Sequence, residues 1–127
     1  MDKTISVLKA LSDPGRLRIV IALMSGRELC ACQITELLQL SGATVSRHLA
    51  QLTGCGLLRS RKEGRWIFFR LADDPSSAKL LSWLRAEAAA RPKSYNDGEN
   101  LKKIVACGPE AIASKQRENN RHQPDMT

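Results

Sequence analysis

The stretch from Cys32 to Leu71 leaves this chain few folds to choose from. Two short amphipathic segments, residues 32–39 and 43–53, are separated only by Leu40-Ser41-Gly42. Ile34, Leu37 and Leu38 give the first its apolar side. Val45, Leu49 and Leu52 do the same for the second, which Gly54 and Gly56 stop. Directly after come two strand-like runs, LLRSRK and RWIFFRL, joined by Glu63-Gly64. In the second run Trp66, Phe68 and Arg70 alternate with Ile67, Phe69 and Leu71, the period of a strand in a hairpin. Two helices around a three-residue turn are the layout of a helix-turn-helix, whose second helix enters the DNA major groove. The hairpin stands where a wing would lie along the backbone. The expected fold is mainly α with a β-hairpin wing, a winged helix-turn-helix.

The remaining elements fit around that block. Asp13-Pro14 starts a helix with an oxygen-bearing cap and proline in the first turn. Leu17, Val20, Ile21 and Met24 form its buried stripe, and Gly26 ends it. Ile5, Leu8 and Leu11 predict an earlier helix from about residue 3. Asp73-Asp74-Pro75-Ser76 opens a helix carrying Leu80, Leu81, Leu84 and Ala88, which Arg91-Pro92 closes. One domain over residues 1–90 follows. Residues 91–127 are expected to be a tail with a short helix at about 97–106 (Leu101, Ile104, Val105) and disorder after about 114.

The charge is concentrated near the second helix and hairpin. Residues 42–71 carry Arg47, Arg59, Arg61, Lys62, Arg65 and Arg70 against Glu63 alone, within a net charge of +7. Such a cluster is the electrostatic footprint of a nucleic-acid face. Thr44, Arg47, His48 and Gln51 fall at offsets 0, 3, 4 and 7, opposite the apolar residues, and suit base-edge and phosphate contacts. Ser41 and Ser46 add hydroxyls, and Arg61, Lys62 and Arg65 are the candidate wing contacts. No Gly-rich phosphate loop or paired-carboxylate constellation points to an enzyme. No apolar run approaches the ~18 residues of a membrane span, so a cytoplasmic protein with reduced thiols is expected.

Read together, ELCACQITELLQLSGATVSRHLAQLTGCGLLRSRKEGRWIFFRL resembles the central block of the ArsR/SmtB family of metalloregulatory repressors. VSRHL stands where that family has its recognition helix and KEGRWIFFRL where it has its wing. The match is close over residues 28–71 and extends in layout over 5–90. One departure is Ser41-Gly42-Ala43, where many members have Ser-Gln-Pro or Ser-Gln-Ser. The resemblance implies a homodimer whose first and fifth helices form the interface, with Leu8, Leu11, Leu81 and Leu84 as the apolar seam. It further implies double-stranded operator DNA with an inverted repeat as partner, and a metal or metalloid that weakens operator binding.

The inducer is read from Cys30 and Cys32. Zinc sensors of the family use Asp and His on the fifth helix, but residues 76–90 hold no His and one carboxylate, Glu87. Cys30 and Cys32 match the Cys-x-Cys of the arsenite-sensing branch, while Thr35 stands where a third cysteine is common. Arsenite or antimonite is therefore the expected inducer, since soft trivalent centres take thiolates and a helix N-terminus favours the thiolate. A third ligand would be Cys55, Cys107, or an external thiol or oxygen. Cys55, between two glycines, reads rather as a buried hydrophobe, and Cys107 reaches the site only if the tail folds back. Because residues two apart do not share a helix face, joining the sulfurs is expected to distort the first helical turn. The alternative is a thiol redox-sensing repressor of the same fold. A direct Cys-x-Cys disulfide closes a small ring and ranks below free thiols.

Overall fold

The computed structural model describes residues 2–122. Helix α1 (Asp2–Leu11) is followed by α2 (Pro14–Ala22), a two-residue strand β1 (Leu29–Cys30), α3 (Ala31–Leu38) and α4 (Gly42–Gly54). The hairpin is β2 (Leu58–Glu63) and β3 (Trp66–Leu71), and a 3-10 turn (Pro75–Ser77) leads into α5 (Ala78–Ala90). Two further helices, α6 (Gly98–Cys107) and α7 (Pro109–His122), complete the chain.

Local chemistry sets the helix ends. The Asp13 carboxylate accepts from the Arg16 N–H at 3.1 Å and caps α2. Ser41 does the same for α4, accepting from the Thr44 N–H at 3.1 Å. Between them α3 ends on Gln39, which adopts φ 56°. Arg18 then reaches from α2 to the exposed end of α3, donating to the carbonyls of Leu37 (3.0 Å) and Leu38 (3.4 Å). The turn between α3 and α4 is thus held by backbone and side-chain bonds.

The core forms where these helices meet. Ile19, Val20 and Leu23 from α2 and the segment after it pack with Ile34, Leu37, Val45, Leu49 and Leu52, all essentially removed from solvent. Helices α2 and α4 approach closely at Gly15, where an added Cβ would lie 2.9 Å from His48 Nε2. Only glycine leaves that room for the imidazole.

The sheet has three strands in the order β1-β3-β2, all antiparallel. The hairpin was expected; the third strand was not. Leu29 pairs with Phe69 and Cys30 with Phe68, so the segment carrying the first cysteine is stitched to the wing.

The C-terminal segment departs from expectation. Helix α6 falls where Leu101 and Ile104 place it, but α7 is helical well past residue 114, where disorder was expected. Residues 123–127 lie outside the described part. Leu101, Ile104 and Ile112 join the same core as α2–α4, so the two helices pack as part of the domain. Arg18 fixes their entry by a two-pronged pair with Asp97 at 2.8 and 3.1 Å. The hydrogen bond to Asp97 holds the Arg18 pKa above its ordinary value.

Asp13 offers a direct check on this architecture. Burial disfavours its charge, but the Arg16 N–H and the nearby His48 and Arg16 outweigh that and lower its pKa. Asp13→Ala should cost about 1 kcal/mol of stability at neutral pH, the usual worth of such a cap. A depressed carboxylate pKa stabilises above its unfolded value and loses that contribution as pH falls through the folded one. The gap between parent and variant in urea melts should therefore close below about pH 3.8.

Candidate functional site

One surface gathers most of the polar groups singled out in the sequence. Ser41, Ser46, Arg47 and Gln51 are exposed on or at the start of α4, and Thr44 is half-buried beside them. Three of them, Ser41, Thr44 and Arg47, are linked by hydrogen bonds. Ser41 Oγ donates to Thr44 Oγ1 at 2.9 Å, and Arg47 Nη2 donates to the same oxygen at 3.3 Å. Lys62 is exposed near the end of β2 and Arg65 in the hairpin turn itself. Arg65 stacks over the Trp66 ring, 4.8 Å from its centroid, and reaches Glu110 of α7 at 3.5 Å.

His48 is not part of that face. It is buried, with Nδ1 3.3 Å from Arg16 Nη1 and Nε2 3.5 Å from Asp13 Oδ2. The offsets 0, 3, 4 and 7 span a wide arc of helix, and residue 48 also lies three from Val45 and four from Leu52. It therefore borders the apolar stripe, and the gap at Gly15 admits it. Its role is to seat α4 against α2.

Arg61 is also committed within the chain. Its Nε and Nη2 contact both Glu28 carboxylate oxygens at 2.7–2.9 Å, and its guanidinium lies 4.8 Å over the Phe68 ring. The bond to Arg61 is the main cause holding the Glu28 carboxyl below its ordinary pKa. Glu28 immediately precedes β1, so this contact and the Cys30–Phe68 pairing bind one segment to the wing twice.

At the mouth of α3 the structure joins Cys30 and Cys32 as a disulfide, the arrangement the sequence ranked below free thiols. The helix keeps its first turn, contrary to the expected distortion. The reason is positional: Cys30 is the N-cap, in extended conformation (φ −82°, ψ 162°), and only Cys32 lies within α3. The two Cα atoms stand 5.5 Å apart, within the usual span for bridged cysteines. Gln33 accepts from the Cys30 N–H at 2.8 Å and completes the cap.

The tail folds over this corner, which the sequence could not settle. Gln116 Nε2 donates to the Cys32 carbonyl at 2.9 Å, and Cys32 Sγ lies 3.5 Å from the Pro109 carbonyl oxygen. Yet Cys107 is exposed and Cys55 sits half-buried at the end of α4, its thiol directed to the Leu52 carbonyl. Among the described residues no group of three His, Cys, Asp or Glu could hold a metal ion. The donor set at the corner is two sulfurs.

The seam residues also separate. Leu8 is exposed on α1 beside Ile5, and Leu11 and Leu81 are half-buried against the core. Leu84, however, is buried within the chain at 2% exposure and has no surface to offer a partner. Trp83, one residue earlier, is 60% exposed. The resemblance placed Leu84 in a seam, but its position on the apolar stripe of α5 directs it into the chain's own core.

A short exposed helix preceded by a held turn and followed by a basic hairpin defines a winged helix-turn-helix regulator. Residues 13–60 match the model for the bacterial regulatory protein, arsR family. The chain belongs to this family. It is 40% identical over 115 residues to the arsenic resistance transcriptional regulator ArsR2 of Pseudomonas putida, covering 80% of this chain and 95% of that one. To ArsR1 of the same organism it is 43% identical over 65 residues, 51% of each chain, so it spans about half of that relative. Among solved structures, HlyU from Vibrio cholerae N16961 is 29% identical with a TM-score of 0.63, covering 70% of this chain and 99% of that one. The Mycobacterium bovis protein Mb0332, described as a homodimeric winged helix-turn-helix DNA-binding domain, is 26% identical with a TM-score of 0.58. That likeness covers 71% of this chain and 80% of that one. The family is one of transcriptional regulators, not enzymes. No helix among the described residues is long and apolar enough to cross a membrane.

Proposed function

We propose that this chain is a cytoplasmic, dimeric repressor that leaves its operator when trivalent arsenic or antimony binds Cys30 and Cys32. The observation carrying this reading is the placement of both sulfurs at one corner, where α3, the wing and the tail meet. The donor set fits a soft trivalent centre, with the third position left to an external thiol or oxygen. When bound, such a centre would supply affinity for the two thiolates of Cys30 and Cys32. Cys30 and Cys32 must be reduced and deprotonated to bind it, and the N-terminus of α3 favours the thiolate form.

Transmission runs through this chain's own contacts. Cys30 lies in β1, so a change in its backbone pulls on Phe68 and, through Glu28, on Arg61. Cys32 lies in α3, whose far end sets the turn into α4. Both routes end at the DNA-facing groups. A coupling of about 1–3 kcal/mol is the usual allosteric scale. Glu28→Gln should loosen Arg61 of the wing from the segment before β1 and free its charge for phosphate. Its non-specific DNA affinity should rise, with a steeper salt dependence, in anisotropy titrations across salt concentrations.

Two-fold assembly supports reading an inverted repeat with half-sites about one helical turn apart, or a multiple. Ile5, Leu8 and Trp83 are the exposed apolar groups on α1 and α5 that favour such a seam. Sedimentation at micromolar concentration should give a dimer, and Leu8→Lys should shift it toward monomer.

The Cys30–Cys32 bridge favours a second reading, in which oxidation of the pair is the signal. Two thiols would lose two electrons and two protons to the oxidant. Mass spectrometry of the reduced protein separates the readings. Arsenite should leave an adduct that Cys30→Ser or Cys32→Ser abolishes, whereas release by peroxide alone, without arsenite capture, supports the redox repressor.

A further inference from the structure

A cavity of about 520 Å³ opens between α3 and the pair α6–α7; neither Cys30 nor Cys32 lines it, although Cys107 does. Its size falls in the range of small-molecule sites. It exists because α6 ends at Gly108, with φ 81°, and the chain turns back to lay α7 along α3. Leu37, Ile104 and Ile112 border it, each buried and apolar. Glu36, Lys103 and Lys115 border it as well. Lys115 pairs with Glu36 at 2.9 Å, and that hydrogen bond holds its ammonium pKa above the ordinary value. Lys103 has no ion-pair partner among the described residues, so the border carries one uncompensated positive charge.

From this apolar lining under an unpaired ammonium, we propose that the cavity binds a small carboxylic acid with an aliphatic or aromatic body. The hydrocarbon fills the space beside Leu37, Ile104 and Ile112, and the carboxylate pairs with Lys103. Because α3 forms one wall, an occupant bears on the same helix that carries Cys32 and precedes the recognition helix. The cavity is then a second effector site, separate from the Cys30–Cys32 pair.

The test uses the full-length reduced protein and sodium octanoate, with octylammonium chloride as a probe of equal body and opposite charge. Octanoate should bind saturably, raise the melting temperature by binding the native state, and shift amide resonances of α3, α6 and α7. Lys103→Glu, an exposed change, should weaken octanoate binding about 10-fold and favour octylammonium. Ile112→Trp should block both by filling the space. Should that variant fail to fold, Lys103→Glu still decides. Octanoate binding no tighter than octylammonium, or unaltered by Lys103→Glu, would overturn the proposal, as would resonance shifts confined to α1 and α5.

Discussion

Arg47→Ala is expected to weaken binding to the specific operator by about 1–3 kcal/mol while changing affinity for unrelated DNA much less. The side chain is exposed in the middle of α4, and its direction is already set by the bond to Thr44 Oγ1, which Ser41 holds in turn. That array orders the guanidinium in the free protein, which would lower the entropy lost were it to fork onto a base edge. Arg47→Lys keeps the charge but loses the fork, so it should recover phosphate attraction without recovering discrimination. Arg65→Ala offers the contrast. At the wing tip it should weaken all sequences alike and flatten the salt dependence. Competition titrations against operator and scrambled duplexes separate the two effects. Equal losses on both duplexes for Arg47→Ala would remove α4 as the reader.

Those elements were legible because short-range chemistry and pattern agree in them. Asp13-Pro14 marks a helix start, the stripe Val45, Leu49, Leu52 gives α4 its apolar side, and Glu63-Gly64 marks the hairpin turn. What escaped the sequence depends on partners distant in the chain. Strand β1 is two residues long, too short to show a period, and exists only because β3 lies beside it. Helix α7 carries few apolar residues, and its place is fixed by Ile112 in the core and by Gln116 and Lys115 on α3. His48 and Leu84 share one lesson. A helical offset defines a direction, but whether that direction meets solvent, DNA or a neighbouring helix depends on the packing. For His48 the deciding feature is a missing Cβ at Gly15.

The largest effect is expected at the cysteine pair. Neither sulfur lies on the surface carrying Arg47, Gln51, Lys62 and Arg65, so replacing both with serine should leave operator affinity near that of the parent. It should abolish the response to arsenite, because a hydroxyl is too hard and too weakly acidic to stand in for a thiolate. Cys55→Ser should cost stability more than response, given its half-buried place against the core. Cys107→Ser should change little, since its thiol is exposed and joins no cluster with the pair. Zinc should induce poorly, as it prefers four ligands where two are brought together. The most direct test is fluorescence anisotropy of labelled operator bound to the reduced protein, titrated with arsenite. The parent should release its DNA, and the Cys30→Ser, Cys32→Ser double variant should hold it throughout. Release of the double variant at the parent's arsenite concentration would place the inducer elsewhere and contradict the assignment.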